Sequence, residues 1–117
     1  MIAVRNLTRG TTMAGRVAMA DSFWQRLTGL LARPPLAEGD GLLICPCQAV
    51  HTWFMAYPID VVFVDSTWRV QALVENLHPY HLSPMIRKAE MVLELPAGAI
   101  RRSATRVQDA LQPGEAG

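Results

Sequence analysis

At 117 residues, half of them hydrophobic and 18% charged, the chain is sized for one globular domain with its own core. Lys and Arg number 11 against 10 Asp and Glu, and a net charge of +1 lacks the basic excess of an electrostatic nucleic-acid binder. No apolar run approaches the roughly 18 residues of a membrane span, residues 1–10 hold no signal-like apolar stretch, and Cys45 and Cys47 are too close for an unstrained disulfide; the expectation is a soluble cytoplasmic protein, monomeric or weakly dimeric, with no membrane partner.

In chain order, residues 2–7 and 15–20 read as a strand pair, joined through the turn chemistry of Thr8-Arg9-Gly10-Thr11-Thr12. Ser22 with Gln25 three residues on has the capping-box spacing. Phe23, Trp24, Leu27, Leu30 and Leu31 share one helical face. This predicts an amphipathic helix over about 22–32, stopped by Pro34-Pro35. Residues 42–45 make a short strand ending at Pro46, and 51–55 alternate as an extended segment broken at Tyr57-Pro58. Residues 59–65 are β-branched and apolar on both faces, which marks a central strand covered on two sides. With the turn Asp65-Ser66-Thr67 and the alternating run 68–75, they predict a hairpin at the centre of the sheet.

Residues 76–85, with two prolines and both His78 and His81, form a loop long enough to be functional or mobile. A strand follows over 90–95, then a short second helix over 99–104 and a last strand over 107–111. Residues 113–117 read as a disordered polar tail, leaving 1–112 as a single domain. The fold class is mainly β: a small antiparallel β-sandwich or open barrel, closed on one side by the amphipathic helix. A parallel βαβ arrangement is disfavoured, because only one helix sits between strands.

Several groups could carry chemistry. Cys45-Pro46-Cys47 with His51 resembles a metal cluster but is short of four ligands unless His78 or His81 completes it, and small thiols filling the core edge are the favoured explanation of the pair. A cysteine nucleophile paired with His51, oriented by Asp60 or Thr52, is a second option. Asp60 and Asp65 lie five positions apart and face opposite sides of a regular strand, so they do not form an acid/base pair. Asp65 fits the turn. Asp60 opens a buried strand, where accepting backbone N–H groups is the simplest role. Glu94 sits inside an apolar strand and needs a partner, for which Arg69, Lys88 and Arg101 are candidates.

Gly29-Leu30-Leu31-Ala32-Arg33, Gly41-Leu42-Leu43-Ile44, the His-Thr-x-x-Met-x-x-x-Ile-Asp-x-x-Phe-x-Asp pattern of 51–65, and Val92-Leu93-Glu94-Leu95-Pro96-Ala97-Gly98 occur in this order. Together they resemble the motifs of the DUF192 family, over about residues 15–111. The resemblance implies a small β-sandwich-like domain and, since the family has no assigned function, no particular activity. Its motif positions fall on His51, Thr52, Met55, Asp60, Asp65 and Glu94. Gln108-Asp109 stands where the family has Gly-Asp, and the Cys-x-Cys pair is not part of the family pattern, which weakens a cysteine mechanism.

The functional expectation is a small binding or interaction module for an unknown small molecule or protein, without cofactor or structural metal. Its polar site would lie near His51, Thr52, Asp60 and Glu94, under the 76–85 loop. The rival is a metal-dependent or His/carboxylate enzyme, which requires these residues to converge in an open concavity.

Overall fold

The structure is a computed structural model that describes residues 1–20, 36–52 and 57–116. The helix expected over 22–32 and the alternation expected through 53–55 lie outside the described residues. Among the described residues there are seven strands, β1 (Ile2–Asn6), β2 (Thr11–Ala20), β3 (Asp40–Ile44), β4 (Ile59–Val64), β5 (Val70–Leu77), β6 (Met91–Pro96) and β7 (Leu111–Glu115), with one short helix, α1 (Ala99–Ser103). They form one sheet in the order β5-β4-β6-β3-β2-β1-β7.

The sheet curls on itself. At its two ends, the residues leading into β5 meet those leading into β7 through a bridge between Arg69 and Ala110. Around it the Val70 N–H donates to the Asp109 carbonyl at 2.9 Å and the Leu111 N–H to the Trp68 carbonyl at 2.8 Å. Right-handed strand twist makes such partial closure the natural outcome for a sheet of this width. Of the two expected architectures, the open barrel therefore describes the molecule and the two-sheet sandwich does not.

The inner face of the curl buries Val4, Met13, Val17, Leu43, Val62, Val64, Val70, Leu93 and Leu95, together with Ala99 and Ile100 of α1. The outer face buries Leu42, Ile44, Ile59, Val61, Phe63, Val92 and, at the end of β5, Leu77, beneath Val50 and Ala89 of the 45–52 and 78–89 segments. Six consecutive β4 residues are buried, so the two-sided apolar pattern of 59–64 is explained by cover on both faces.

Three expectations are corrected. The hairpin β4–β5 is not at the centre: β5 is an edge strand, and β4 takes its second neighbour from β6. One pair, β2–β3, is parallel, in an otherwise antiparallel sheet. The segment between them has the dozen or more residues a parallel connection needs, so a single crossover suffices. Residues 113–115 are not a tail. Pro113, Gly114 and Glu115 lie opposite Val4, Ala3 and Ile2, so their backbone continues the ladder to β1 although their side chains are exposed. A proline is tolerated there because β7 is an edge.

Candidate functional site

Asp60 opens β4, is 1% exposed, and is held by backbone donors. Its Oδ1 accepts the Asn76 N–H at 2.9 Å, and its Oδ2 accepts those of Gly98 at 3.1 Å and Ile100 at 2.9 Å. The helix α1 has no capping side chain of its own, and the strand residue fills that role across the sheet. Gly98 reaches this position with φ at +96°, a left-handed conformation that glycine adopts at little cost. The Ala97-Gly98 turn after β6 thus leads into α1 and brings the Gly98 and Ile100 N–H groups to Asp60.

Glu94 is fully buried on β6, opposite Leu42 on one side and Val61 on the other. Residues directly opposite each other in a ladder share a face. Asp60 lies opposite Leu95, an inner-face residue, whereas Glu94 lies opposite Val61, an outer-face residue. The two carboxylates project to opposite sides of the sheet and do not face a common substrate position.

Thr52 is fully buried and fastens the 77–82 loop. Its hydroxyl lies 2.5 Å from the His78 carbonyl and 3.2 Å from that of His81, and accepts the His81 N–H at 2.9 Å. Its backbone N–H donates to the His81 carbonyl and its carbonyl accepts the Tyr80 N–H, each at 2.9 Å. His51 is half-buried and forms a bridge with Leu82, so His51 and His81 occupy adjacent, oppositely directed positions. His78 and His81 are exposed, their ring centroids 6.2 Å apart.

Cys45 and Cys47 are not joined in a disulfide. Cys45 packs against the inner core and Cys47 against the outer one; β3 ends at Ile44, and the bend that follows parts two residues that a continuing strand would have placed on one face. Among the described residues, no three His, Cys, Asp or Glu side chains gather to hold a metal ion. The Cys47 thiol donates to the Ala49 carbonyl at 3.1 Å.

Beside Cys47 lies a surface hollow of about 440 Å³, lined by Pro46, Cys47, Gln48, Ala49, Met85, Ala89 and Glu90. Its two walls are locked together: the Cys47 N–H donates to the Glu90 carbonyl, the Ile86 N–H to the Gln48 carbonyl, and the Gln48 amide to the Arg87 carbonyl. The sequence pointed to Cys47 for its thiol and to the 76–85 loop, which ends at Met85, for its length; neither marked this hollow.

A second polar cluster also escaped the sequence reading. Asp109, 2% exposed, accepts a forked pair of bonds from Arg9 at 3.0 and 3.1 Å, one from Asn6 at 3.0 Å, and the Arg106 N–H at 2.8 Å. Burial pushes the Asp109 carboxyl up, but Arg9, Asn6 and the Arg106 N–H outweigh it and hold it below the ordinary 3.8. Asp65, the turn residue, is likewise held low: the Arg69 and Thr67 N–H groups, the Thr67 hydroxyl and the Gln71 amide offset the opposing effect of burial. Both roles are structural.

The DUF192 profile, described as "Uncharacterized ACR", matches residues 4–113. A UPF0127 protein of Thermococcus sibiricus is 32% identical over 100 residues, 81% of this chain; the chain spans only 64% of that longer relative. A UPF0127 protein of Pyrococcus furiosus is 31% identical over 112 residues, covering 92% of this chain and 94% of its own length. Among solved structures, a protein of unknown function from Novosphingobium aromaticivorans superposes with a TM-score of 0.79 at 21% identity, over 95% of this chain and 82% of its own. A putative transcription regulator from Sinorhizobium meliloti gives 0.76 at 24%, over 96% and 91%. At these identities the two structures speak for the fold alone.

Proposed function

The chain belongs to the DUF192 (UPF0127) family, and on that premise we propose that it is a non-catalytic binding module that takes a small amphipathic ligand in the hollow between 46–49 and 85–90. The observation that carries this reading is the construction of the hollow. Its volume suits a small molecule, and both walls are fixed by backbone hydrogen bonds, so a ligand would meet a preformed surface. Pro46, Ala49, Met85 and Ala89 offer apolar contact. Glu90, exposed at the rim, favours a ligand bearing a cation or a hydrogen-bond donor.

Binding is favoured over turnover because the residues expected to do chemistry are otherwise engaged. Thr52 and Asp60 spend their polar atoms on backbone groups, and Asp60 and Glu94 point to opposite faces. Of the four candidates, Glu94 lies on the outer face with the hollow and Asp60 on the inner one, while His51 and Thr52 hold the neighbouring 77–82 loop.

The test is a titration of the ¹⁵N-labelled full chain with a fragment set, read by amide shifts. Hits should perturb Cys47, Gln48, Ala49, Met85, Ala89 and Glu90. Ala49→Trp, which fills the hollow from an exposed position, should abolish them without changing the melting temperature. Hits that concentrate elsewhere, or persist in Ala49→Trp, would sink the reading.

A further inference from the structure

We propose that the 78–88 segment is a docking element for an anionic membrane surface. Three apolar side chains stand out of it within six residues: Tyr80, Leu82 and Met85 are 68%, 67% and 69% exposed. Apolar residues scattered singly over a surface are ordinary; three on one short loop call for an explanation. Loose chain does not account for the exposure. The Tyr80 N–H donates to the Thr52 carbonyl, the Ser83 N–H to the Val50 carbonyl and the Ile86 N–H to the Gln48 carbonyl, while the Val50 N–H donates to the Ser83 hydroxyl. The backbone is pinned at every second or third residue while these side chains point outward.

Charge selects the occupant. The same segment carries exposed Arg87 and Lys88 and exposed His78 and His81, and no carboxylate. The 46–52 segment beneath it carries none either; Glu75 and Glu90 flank the region at either end. Apolar tips beside the two cations Arg87 and Lys88 complement a surface that is anionic at the headgroups and apolar just below. Side chains that project into solvent suit insertion between lipids better than seating in a protein groove. The lack of a long apolar helix among the described residues concerns spanning and is no obstacle to a loop that lies on the surface. This inference does not depend on the small-ligand reading, although the segment adjoins the hollow and Met85 is common to both.

The test is sedimentation of the full chain with vesicles of phosphatidylcholine plus phosphatidylglycerol, against phosphatidylcholine alone, at low and high salt. Binding should require phosphatidylglycerol and weaken with salt. The pair Leu82→Asp and Met85→Asp should cut the bound fraction roughly tenfold or more, as should Arg87→Gln with Lys88→Gln. All four positions are exposed or at a loop surface, so unchanged melting curves would separate lost docking from lost folding. Absent binding, equal binding to neutral vesicles, or binding indifferent to both pairs overturns the proposal. A concentration-dependent dimer dissolved by Leu82→Asp, without vesicle binding, assigns the loop to self-association and overturns it too.

Discussion

A carboxylate surrounded by backbone donors behaves as a clamp. At Asp60, three N–H groups from two separate segments converge on one side chain, and removing it takes the acceptor from the buried Ile100 N–H and from the part-buried N–H groups of Asn76 and Gly98. Asp60→Asn keeps one acceptor but turns an amide against the N–H groups. It should lower stability by about 3 kcal/mol, seen as a lower urea midpoint with an unchanged slope; a loss no larger than that of an exposed surface change would contradict the clamp. Asp109 makes a different prediction. Its carboxyl is held below 3.8 in the folded chain, so its contribution is complete above that pH and is lost as pH falls below 3.8 toward the lowered folded value. Asp109→Asn should therefore weaken the protein at neutral pH and flatten the acid decline of stability below about pH 4. Unfolding curves collected across that range for both proteins decide the point.

The elements that position these residues are short, and each depends on a local device. Helix α1 has five residues, too few to persist without its cap and its packing. Gly98 sets the angle of entry at φ +96°, and a Cβ there would stand 2.8 Å from an Arg102 guanidinium nitrogen. That nitrogen ends a flexible side chain and can move, so the backbone conformation dominates the cost. Gly98→Ala should destabilise by about 1–2 kcal/mol and broaden the Ile100 and Ser103 amide signals first. The 77–82 loop depends on Thr52 in the same way. Thr52→Val keeps the shape but removes the hydroxyl, so hydrogen exchange at the His81 amide should accelerate well beyond that at β4, which is buried along its whole length.

At the scale of the whole molecule, the curl is held where its two ends meet, at Arg69 and Ala110, and β7 is part of that closure. Truncation after Gln112 removes residues whose side chains are exposed but whose backbone pairs with Ile2, Ala3 and Val4. A dispensable tail would leave the melting temperature unchanged. The ladder predicts a loss of roughly 1–2 kcal/mol, and a drop in melting temperature on truncation is the measurement that separates the two.

Much of this architecture was legible in the residues themselves. Period-two alternation and β-branched runs located β1, β4, β5 and β6, because backbone geometry imposes that period wherever a strand buries a face. The clamp at Asp60 was legible as well, since a buried carboxylate at a strand start must find donors. What only the tertiary structure decided is who stands beside whom. The parallel β2–β3 pair, the edge position of β5 and the opposite facing of Asp60 and Glu94 all follow from strand order, which leaves no periodic mark in a single chain. Residues 113–115 were misread for a related reason: an edge strand can be polar in every side chain and still be held by its backbone. The hollow beside Cys47 and the network around Asp109 join segments far apart in the chain, and no local pattern records a contact of that kind.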